Sequence, residues 1–323
     1  MKLCFIVNPA AGSGGFQKLV VEAAEHLQQF DCTVERVETC AKGDAIGLAR
    51  RAAAEGFDVA VAVGGDGTIN EVCNGLVGTE TALAVLPAGT ANVYAADVGI
   101  PIWWPLNPGA VLNAAEVIVT GQRRRIDLGR LRLADGTERY FLMWCGIGLD
   151  AAISQAIKPG DTRRLGFGAW ILSGLLVTFD FMGTRATIRT DAGLVKGRVL
   201  LAVVSNGQLY GRVWRMSPQA KMDDGLLDVG IMTGHGWPST FKHLAGLTFG
   251  QHVRDPDFHL YQTKVLSLSA REALPVHVDA EPVGTTPVAI EVEPLALSVI
   301  VPQNAPAQLF TRAPLADELT PKR

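Results

Sequence analysis

The stretch Val59-Ala60-Val61-Ala62-Val63-Gly64-Gly65-Asp66-Gly67-Thr68 constrains this chain more than any other. A short Val-rich apolar run reads as a strand buried on both faces, the kind found in parallel sheets. It ends in three glycines around one acid, and a segment with helical spacing, Ile69 to Leu76, follows. Strand, glycine turn and helix start, in that order, bring backbone N–H groups and the positive end of a helix dipole to one place, where a phosphate can be held. The glycines are expected to let the backbone approach a ligand closely and to take up positive φ. Asp66 stands out, because a carboxylate beside a phosphate cradle repels the ligand unless it serves a metal ion or orients a neighbouring group. An ordinary tight turn after a buried strand is the alternative.

The surrounding pattern extends the same theme. Leu3 to Val7 predicts a strand, followed by the small-residue loop Asn8 to Gly15 and a helix over Phe16 to Phe30. A strand over Cys32 to Val37, a helix over Ala45 to Ala54 and a strand over Leu83 to Leu86 come next. Pro87-Ala88-Gly89-Thr90-Ala91-Asn92 then reads as a turn into a helix, with Thr90 as a possible cap. Strands alternating with helices at this spacing predict an α/β domain with a parallel sheet. Ligands of such sheets bind beyond the carboxyl ends of the strands, where the loops Asn8–Gly15, Gly64–Thr68 and Pro87–Asn92 all lie.

The pattern changes after a Pro-rich segment (Pro101, Pro105, Pro108) and a helix near Ala110 to Val119. Short alternating runs then dominate: Ile126–Leu133, Arg139–Trp144, Arg185–Thr190, Gly197–Val204, Leu226–Met232, Gln262–Ser269, Val276–Val278 and Ala289–Val292. They predict a second, β-rich, antiparallel domain, interrupted by helical segments at Phe167–Phe179 and Pro238–Phe249. The expected division is 1–121 for the α/β domain, 122–302 for the β domain and 303–323 for a tail.

At 323 residues, 48% hydrophobic and 19% charged, the chain has the material for two full cores. A net charge of -3 gives no overall nucleic-acid footprint. Basic residues cluster locally at Arg123–Arg125 with Arg130 and Arg132, and at Lys158, Arg163 and Arg164; each cluster reads either as a solvated face or as an attraction for anionic lipid. Five scattered cysteines without C-x-x-C spacing read as reduced thiols of a cytoplasmic protein. The apolar run Leu165–Phe179 falls short of the ~20 residues that span a bilayer, so only an interfacial contact is expected of it. Together with Ile102, Trp103 and Trp104, it is a candidate for an acyl-chain pocket or a membrane contact, core packing being the alternative.

No P-loop lysine motif, H-E-x-x-H or G-x-S-x-G occurs, and the six histidines show no ligand spacing. In Val276-His277-Val278-Asp279-Ala280-Glu281-Pro282, strand alternation puts Asp279 and Glu281 on one face, about 7 Å apart, which suits a general base and a partner that orients it or helps hold a metal, or else two acids at a solvated strand end. In Lys221-Met222-Asp223-Asp224-Gly225-Leu226, two carboxylates at a glycine turn suit a hard cation such as Mg²⁺, or make a plain β-turn.

Taken together, these pieces resemble the diacylglycerol kinase catalytic domain family, which includes sphingosine, ceramide and bacterial lipid kinases. The resemblance runs through Gly64–Leu76, Asn8–Gly12, Leu86–Asn92, Gly146–Ala151, Ser205–Gly207, Asp223–Asp228 and Val278–Pro282, in the family's order. It implies transfer of phosphate from ATP to a lipid hydroxyl at a membrane surface, with the nucleotide in a cleft between the two domains. On that basis Asn8, Pro9, Gly12, Gly64, Gly65, Asp66, Gly67, Thr68, Glu71, Gly89, Thr90 and Asn92 are expected at the nucleotide. Asp279 is expected as the base, with Glu281 and Asp66 beside the chemistry, and Asp223, Asp224 and Leu226 around Mg²⁺. The resemblance also implies that the tail packs on the first domain. One departure is Ala280, where the family usually has glycine. A soluble-substrate kinase acting on NAD and a non-catalytic lipid- or nucleotide-binding protein are the rival readings.

Overall fold

The computed structural model describes the whole chain except residues 13–15, 105, 108, 157–176 and 317–323. The chain divides into two compact units, Met1–Asp127 with Met222–Asp224 and Pro294–Arg323, and Leu128–Lys221 with Gly225–Glu293. The divisions fall inside two long strands, β5 (Gln122–Leu133) and β17 (Val288–Val301), and not at linkers near 121 and 302.

The first unit is α/β. Its parallel strands are β1 (Lys2–Val7), β2 (Thr33–Glu38), β3 (Val59–Gly64) and β4 (Ala82–Pro87), in the order β4-β3-β1-β2. The end of β17 joins beside β4, also in parallel, with Val299 opposite Leu83. Every residue of β3 and β4 is buried, as uninterrupted apolar runs require, whereas β2 closes the edge and alternates between exposed and half-buried. Helices α1 (Phe16–Gln28), α2 (Asp44–Ala54), α3 (Asp66–Leu76), α4 (Val93–Val98) and α5 (Ala110–Thr120) complete the unit. Gly75 lets α3 lie against α2, since a Cβ there would meet Ile46 O and Ala49 Cβ at 2.6 Å. Helix α3 begins three residues before the apolar periodicity does, because extended Gly65 (φ −93°, ψ −173°) accepts the first helical bond from Ile69 at 3.0 Å.

The second unit is antiparallel. Its strands run in the order β16 (Glu281–Thr285), β15 (Pro275–Val278), β7 (Trp144–Gly148), β9 (Leu194–Ser205), β8 (Thr184–Thr190), β14 (Val265–Ala270) and the start of β17. Strand β9 also pairs with β12 (Leu227–Thr233), and β12 with β13 (Phe258–Thr263). Phe141, Ile188, Val204, Ile231, Leu266 and Ile290 lie at the centre of the core. Helix α6 (Leu149–Ala156) follows β7 directly.

Three local expectations give way here. The run Gln262–Ser269 is two strands, because Asp191 takes the N–H of Lys264 (3.2 Å) and removes it from the ladder. Arg139–Trp144 is likewise interrupted between β6 (Glu138–Phe141) and β7, where the N–H groups of Leu142, Met143 and Trp144 turn to a side chain, that of Asp279. Asp279 and Glu281 do not share a strand face. Val278 pairs with Glu281, so Asp279 (φ 45°) and Ala280 (φ 70°) form the two-residue turn of the β15–β16 hairpin, both in the left-handed region.

The basic triplet is not a free patch. Arg123 bonds Ser298 Oγ (2.6 Å), Arg125 pairs with Glu80 (2.5 Å), and Arg124 stacks over Phe310 at 4.2 Å. Residues after Pro302 lie with the first unit, and Leu315 N donates to Arg123 O at 2.8 Å. Among the described residues no helix is long and apolar enough to cross a membrane. Most of the run Leu165–Phe179, with Lys158, Arg163 and Arg164, lies outside the described residues. Trp103 packs edge-on against Phe16 at 5.3 Å, while Trp104 is half exposed.

Candidate active site

In the first unit, three loops at the carboxyl ends of β1, β3 and β4 are tied into one junction. Asn8 Nδ2 donates to Thr68 Oγ1 (3.2 Å), Gly12 N to Ala88 O (3.0 Å), and Ala88 N to Gly64 O (2.8 Å). Gly65 and Gly89 face each other so closely that a Cβ on Gly89 would stand 2.5 Å from Gly65 Cα. Glycine is required there for contact between loops, not for positive φ; of the loop glycines described, only Gly12 (φ 78°) is left-handed. Asn92 (φ 49°) closes the third loop on itself, its amide bonding both N–H and C=O of Gly89 at 2.8 and 2.7 Å. Pro9 and Thr90 lie exposed on these loops.

The puzzle of Asp66 has a structural answer. Its Oδ1 accepts the N–H of Val93 at 2.7 Å, so the carboxylate is bound at the start of α4 and staples the second loop to the third. Asp66, not Thr90, thus supplies the bond that opens that helix. Glu71 is committed in the same way. Buried, it accepts Gly43 N (2.8 Å) and Ala45 N (3.2 Å), satisfying the first turn of α2. The N-terminal turn of α3, with Gly67 and Thr68, retains the orientation that suits an anion.

The second unit holds a buried polar cluster of a different kind. Asp279 Oδ2 accepts Leu142 N (2.8 Å), and its Oδ1 accepts Met143 N (2.9 Å) and Trp144 N (3.0 Å). Three N–H donors fit an ionised, acceptor-only carboxylate. Next to it, Ala280 N donates to His277 Nδ1 at 3.1 Å. Nε2 therefore carries the ring proton and donates it to Asp150 Oδ2 at 2.8 Å. The Tyr210 hydroxyl donates to the same oxygen at 2.8 Å, and Ala151 N donates to Asp150 Oδ1 at 2.8 Å. Gly146 makes room for the pair, since a Cβ there would collide with both Asp150 Oδ2 and His277 Nε2. Burial first, and the neighbouring Asp150 second, push the Tyr210 phenol well above its ordinary range, so it stays a donor. Burial, Asp150 and Asp279 do the same to the Cys145 thiol. Glu281 sits outside the cluster, paired with Arg139 at 3.3 Å.

Sequence reasoning missed Asp150, His277 and Tyr210 as a group. A signal for them existed: an acid placed after Gly146-Ile147-Gly148-Leu149 at a helix start, and a histidine two residues before Asp279.

Of the residues expected around Mg²⁺, Asp223 has protein partners for both carboxylate oxygens. Asp223 Oδ1 accepts Thr311 N (2.5 Å) and Thr311 Oγ1 (2.8 Å), and its Oδ2 accepts Arg312 N (2.9 Å). Its carboxylate fits a clamp on the residues after Pro302 better than a metal ligand. Among the described residues no group of three His, Cys, Asp or Glu side chains is placed to hold a metal ion.

Residues 2–131 match the diacylglycerol kinase catalytic domain, and residues 144–301 match the YegS C-terminal NAD kinase β-sandwich-like domain. A probable YegS-like lipid kinase of Pseudomonas aeruginosa is 32% identical over 267 residues, covering 82% of this chain and 83% of that one. The chain belongs to the diacylglycerol kinase catalytic domain family. A diacylglycerol kinase of Bacillus subtilis is 28% identical over 286 residues, 87% of this chain and 90% of its own. In structure, a diacylglycerol kinase from Bacillus anthracis described as putative superposes with a TM-score of 0.76 at 25% identity, over 93% of this chain and 97% of the other. Family membership accounts for the resemblance read in the sequence and for the pairing of an α/β unit with a β-rich one. It also makes this chain an enzyme of the lipid kinase family, for which ATP is the expected phosphate source.

Proposed function

We propose that this protein transfers the γ-phosphate of ATP, entering with Mg²⁺, to the hydroxyl of a lipid such as diacylglycerol, a sphingoid base or ceramide. The observation that carries the reading is the three-loop junction of the first unit. Asn8, Gly12, Gly64, Gly65 and Gly89 meet there with almost no side-chain bulk, beside the start of α3, and the one nearby acid is bound to Val93. Such a junction suits an anion, and Asp66 has a structural task there in orienting Val93, while its charge would be offset by the cation that accompanies the nucleotide. The cation supplies charge neutralisation on the phosphates, and Asp223 need not serve it.

Phosphoryl transfer passes through a loose transition state, so catalysis consists mainly of positioning and charge stabilisation. In this reading the loops and the α3 N-terminus hold the phosphates, and Asp279 receives the proton of the lipid hydroxyl. The carboxylate is held in one orientation by the N–H groups of residues 142–144. Glu281, fixed by Arg139, is the nearer of the two remaining acids in sequence and a candidate to orient the acceptor.

The test is phosphate transfer from labelled ATP with Mg²⁺ to a panel of these lipids in mixed micelles, with NAD included. Transfer to a lipid, lost in Asp279→Asn, is the expected outcome. Transfer to NAD alone, or full activity in that variant, would overturn the substrate class or the residue's role respectively.

A further inference from the structure

Helix α7 (Gly236–Thr248) in the second unit has an apolar stripe on its solvent side. At about 100° per residue, Trp237, Phe241 and Leu244 fall on one stripe, and Gly236, His243 and Leu247 on the neighbouring one. The second stripe is the buried one. Trp237 is 48% exposed, Phe241 36% and Leu244 40%, so the helix packs inward with Gly236, His243 and Leu247 and shows its two aromatic residues outward.

The stripe continues at one end, and a further exposed ring lies past the other, about a third of a turn off its line. Phe179, itself half exposed, stands with Trp237 and Phe241 in a triangle whose three ring-centre separations are each 6.1 Å. At the other end Phe249 is 76% exposed. Trp214 Nε1 donates to Thr248 Oγ1 at 3.2 Å, which brings the hairpin of β10 (Leu209–Tyr210) and β11 (Trp214–Arg215) alongside, with Val213 exposed at its turn. Single exposed apolar side chains need no explanation, but a contiguous run of aromatic ones marks an interaction surface.

Charge decides what kind of partner fits. Neither α7 nor the hairpin contains an Asp or Glu, and the hairpin presents Arg212 and Arg215, both exposed, with one Arg215 nitrogen donating to Gln208 Oε1 at 2.6 Å. Lys242 lies about 100° around the helix from Phe241, engaged with Asp255 (2.7 Å) and Asp257 (2.6 Å) away from the stripe. An acid does adjoin the aromatic triangle in sequence: Asp180, next to Phe179. Trp and Phe on an exposed stripe with a cationic rim is the composition of surfaces that settle into a lipid headgroup layer.

We infer that this face docks the protein on an anionic bilayer, with Trp237, Phe241 and Phe179 entering the headgroup boundary and Arg212 and Arg215 meeting lipid phosphates. The purpose of the contact rests on the lipid kinase reading, since a substrate that stays in a bilayer has to be approached there. The contact itself is measurable without any phosphate transfer.

The experiment is flotation of the full chain with vesicles of phosphatidylcholine alone and of phosphatidylcholine mixed equally with phosphatidylglycerol. The native chain is expected to float with the anionic vesicles. Trp237→Ser with Phe241→Ser is expected to weaken that binding about tenfold or more, since both rings keep apolar surface exposed that the headgroup layer would bury. Arg212→Glu with Arg215→Glu is expected to remove the preference for phosphatidylglycerol. Because both aromatic positions face solvent, unfolding temperatures are expected to stay near the native value, which circular dichroism checks. Vesicle binding that is the same in the native chain and the aromatic double variant would overturn the inference. So would sedimentation showing a native dimer that becomes a monomer in that variant while vesicle binding persists, because the stripe would then cover a second copy. Phosphorylation of a short-chain diacylglycerol dispersed in water is expected to survive in the aromatic double variant. If the native chain phosphorylates no lipid at all, the kinase reading fails while the flotation result stands.

Discussion

The loop junction of the first unit and the carboxylate cluster of the second are both buried polar constructions, held by opposite means. The junction is made of backbone: Gly12 to Ala88, Ala88 to Gly64, and the facing Cα atoms of Gly65 and Gly89. Its few side chains, Asn8, Asp66 and Asn92, act as staples between main-chain segments. The cluster is made of side chains: His277, Asp150 and Tyr210 are linked in series, and Asp279 stands two residues from His277, held by the backbone N–H groups of residues 142–144. A backbone construction is damaged by adding atoms, because there is no room. A side-chain construction is damaged by removing an acceptor, because a buried donor left unpaired costs about 1–3 kcal/mol. The two constructions should therefore fail in different ways.

The largest effect is expected at Asp279. Asp279→Asn replaces one acceptor oxygen with an amide N–H, which then faces a main-chain donor of residues 142–144. Turnover should fall by about 10²–10⁴, the range for loss of a general base, and the unfolding temperature should fall with it. Steady-state kinetics and calorimetry on the same sample check both. Native-like turnover would leave the cluster as a purely structural device and break the comparison on its functional side.

Next comes Gly89→Ala. The added Cβ would stand 2.5 Å from Gly65 Cα and 2.9 Å from Asn92 Oδ1, so the second and third loops must separate. A cost of about 1–3 kcal/mol is expected from overpacking. The diagnostic part is kinetic: if, as proposed, the loops hold phosphates and not the acceptor, the KM for ATP should rise more than turnover falls. Turnover loss at unchanged KM would show that the junction does not bind the nucleotide.

Glu71 sharpens the boundary of the nucleotide set. The family motif places it beside the cradle, but its carboxylate belongs to Gly43 N and Ala45 N. Glu71→Ala leaves those donors unsatisfied and should cost about 1–3 kcal/mol, with the dissociation constant for ATP, read by titration calorimetry, unchanged. A weakened ATP affinity at native stability would return Glu71 to the nucleotide.

The contrast between the two regions also accounts for what could be read from the residues alone. The first-unit motifs are legible because each loop directly follows a buried strand, and strand, turn and helix lie close together along the chain. Even there, the positive φ expected of the glycines is absent at Gly65 and Gly89, whose close mutual contact no local window reveals. In the second unit the strands were mostly recognisable by alternation, but the cluster joins residues 142–150, 210 and 277–280 through sheet pairing. Strand alternation even misplaced Asp279 and Glu281, because a two-residue turn between paired strands has the same spacing as one continuous strand. Asp223 shows the same limit: its partners, Thr311 and Arg312, lie 88 and 89 residues away along the chain.

The smallest predicted effect concerns the departure at Ala280. Its φ of 70° is one that glycine adopts freely and alanine does not, and Asp279 beside it is also left-handed. His277 compensates by accepting the Ala280 N–H while its other nitrogen is anchored on Asp150. Ala280→Gly should therefore raise stability by up to about 1 kcal/mol, less whatever glycine adds to the entropy of the unfolded chain. The turn itself should not move, so turnover should change little. The informative measurement is a double-mutant cycle with His277→Gln, which keeps a polar side chain but cannot bridge Ala280 N and Asp150 in the same geometry. If His277 holds the strained turn, His277→Gln should lower turnover in the native chain and do so less when combined with Ala280→Gly, a coupling read in turnover at matched ATP saturation. Strict additivity would mean that His277 stabilises the cluster without setting the orientation of Asp279. The side-chain construction would then be a packing device, and the difference between the two regions would be one of architecture alone.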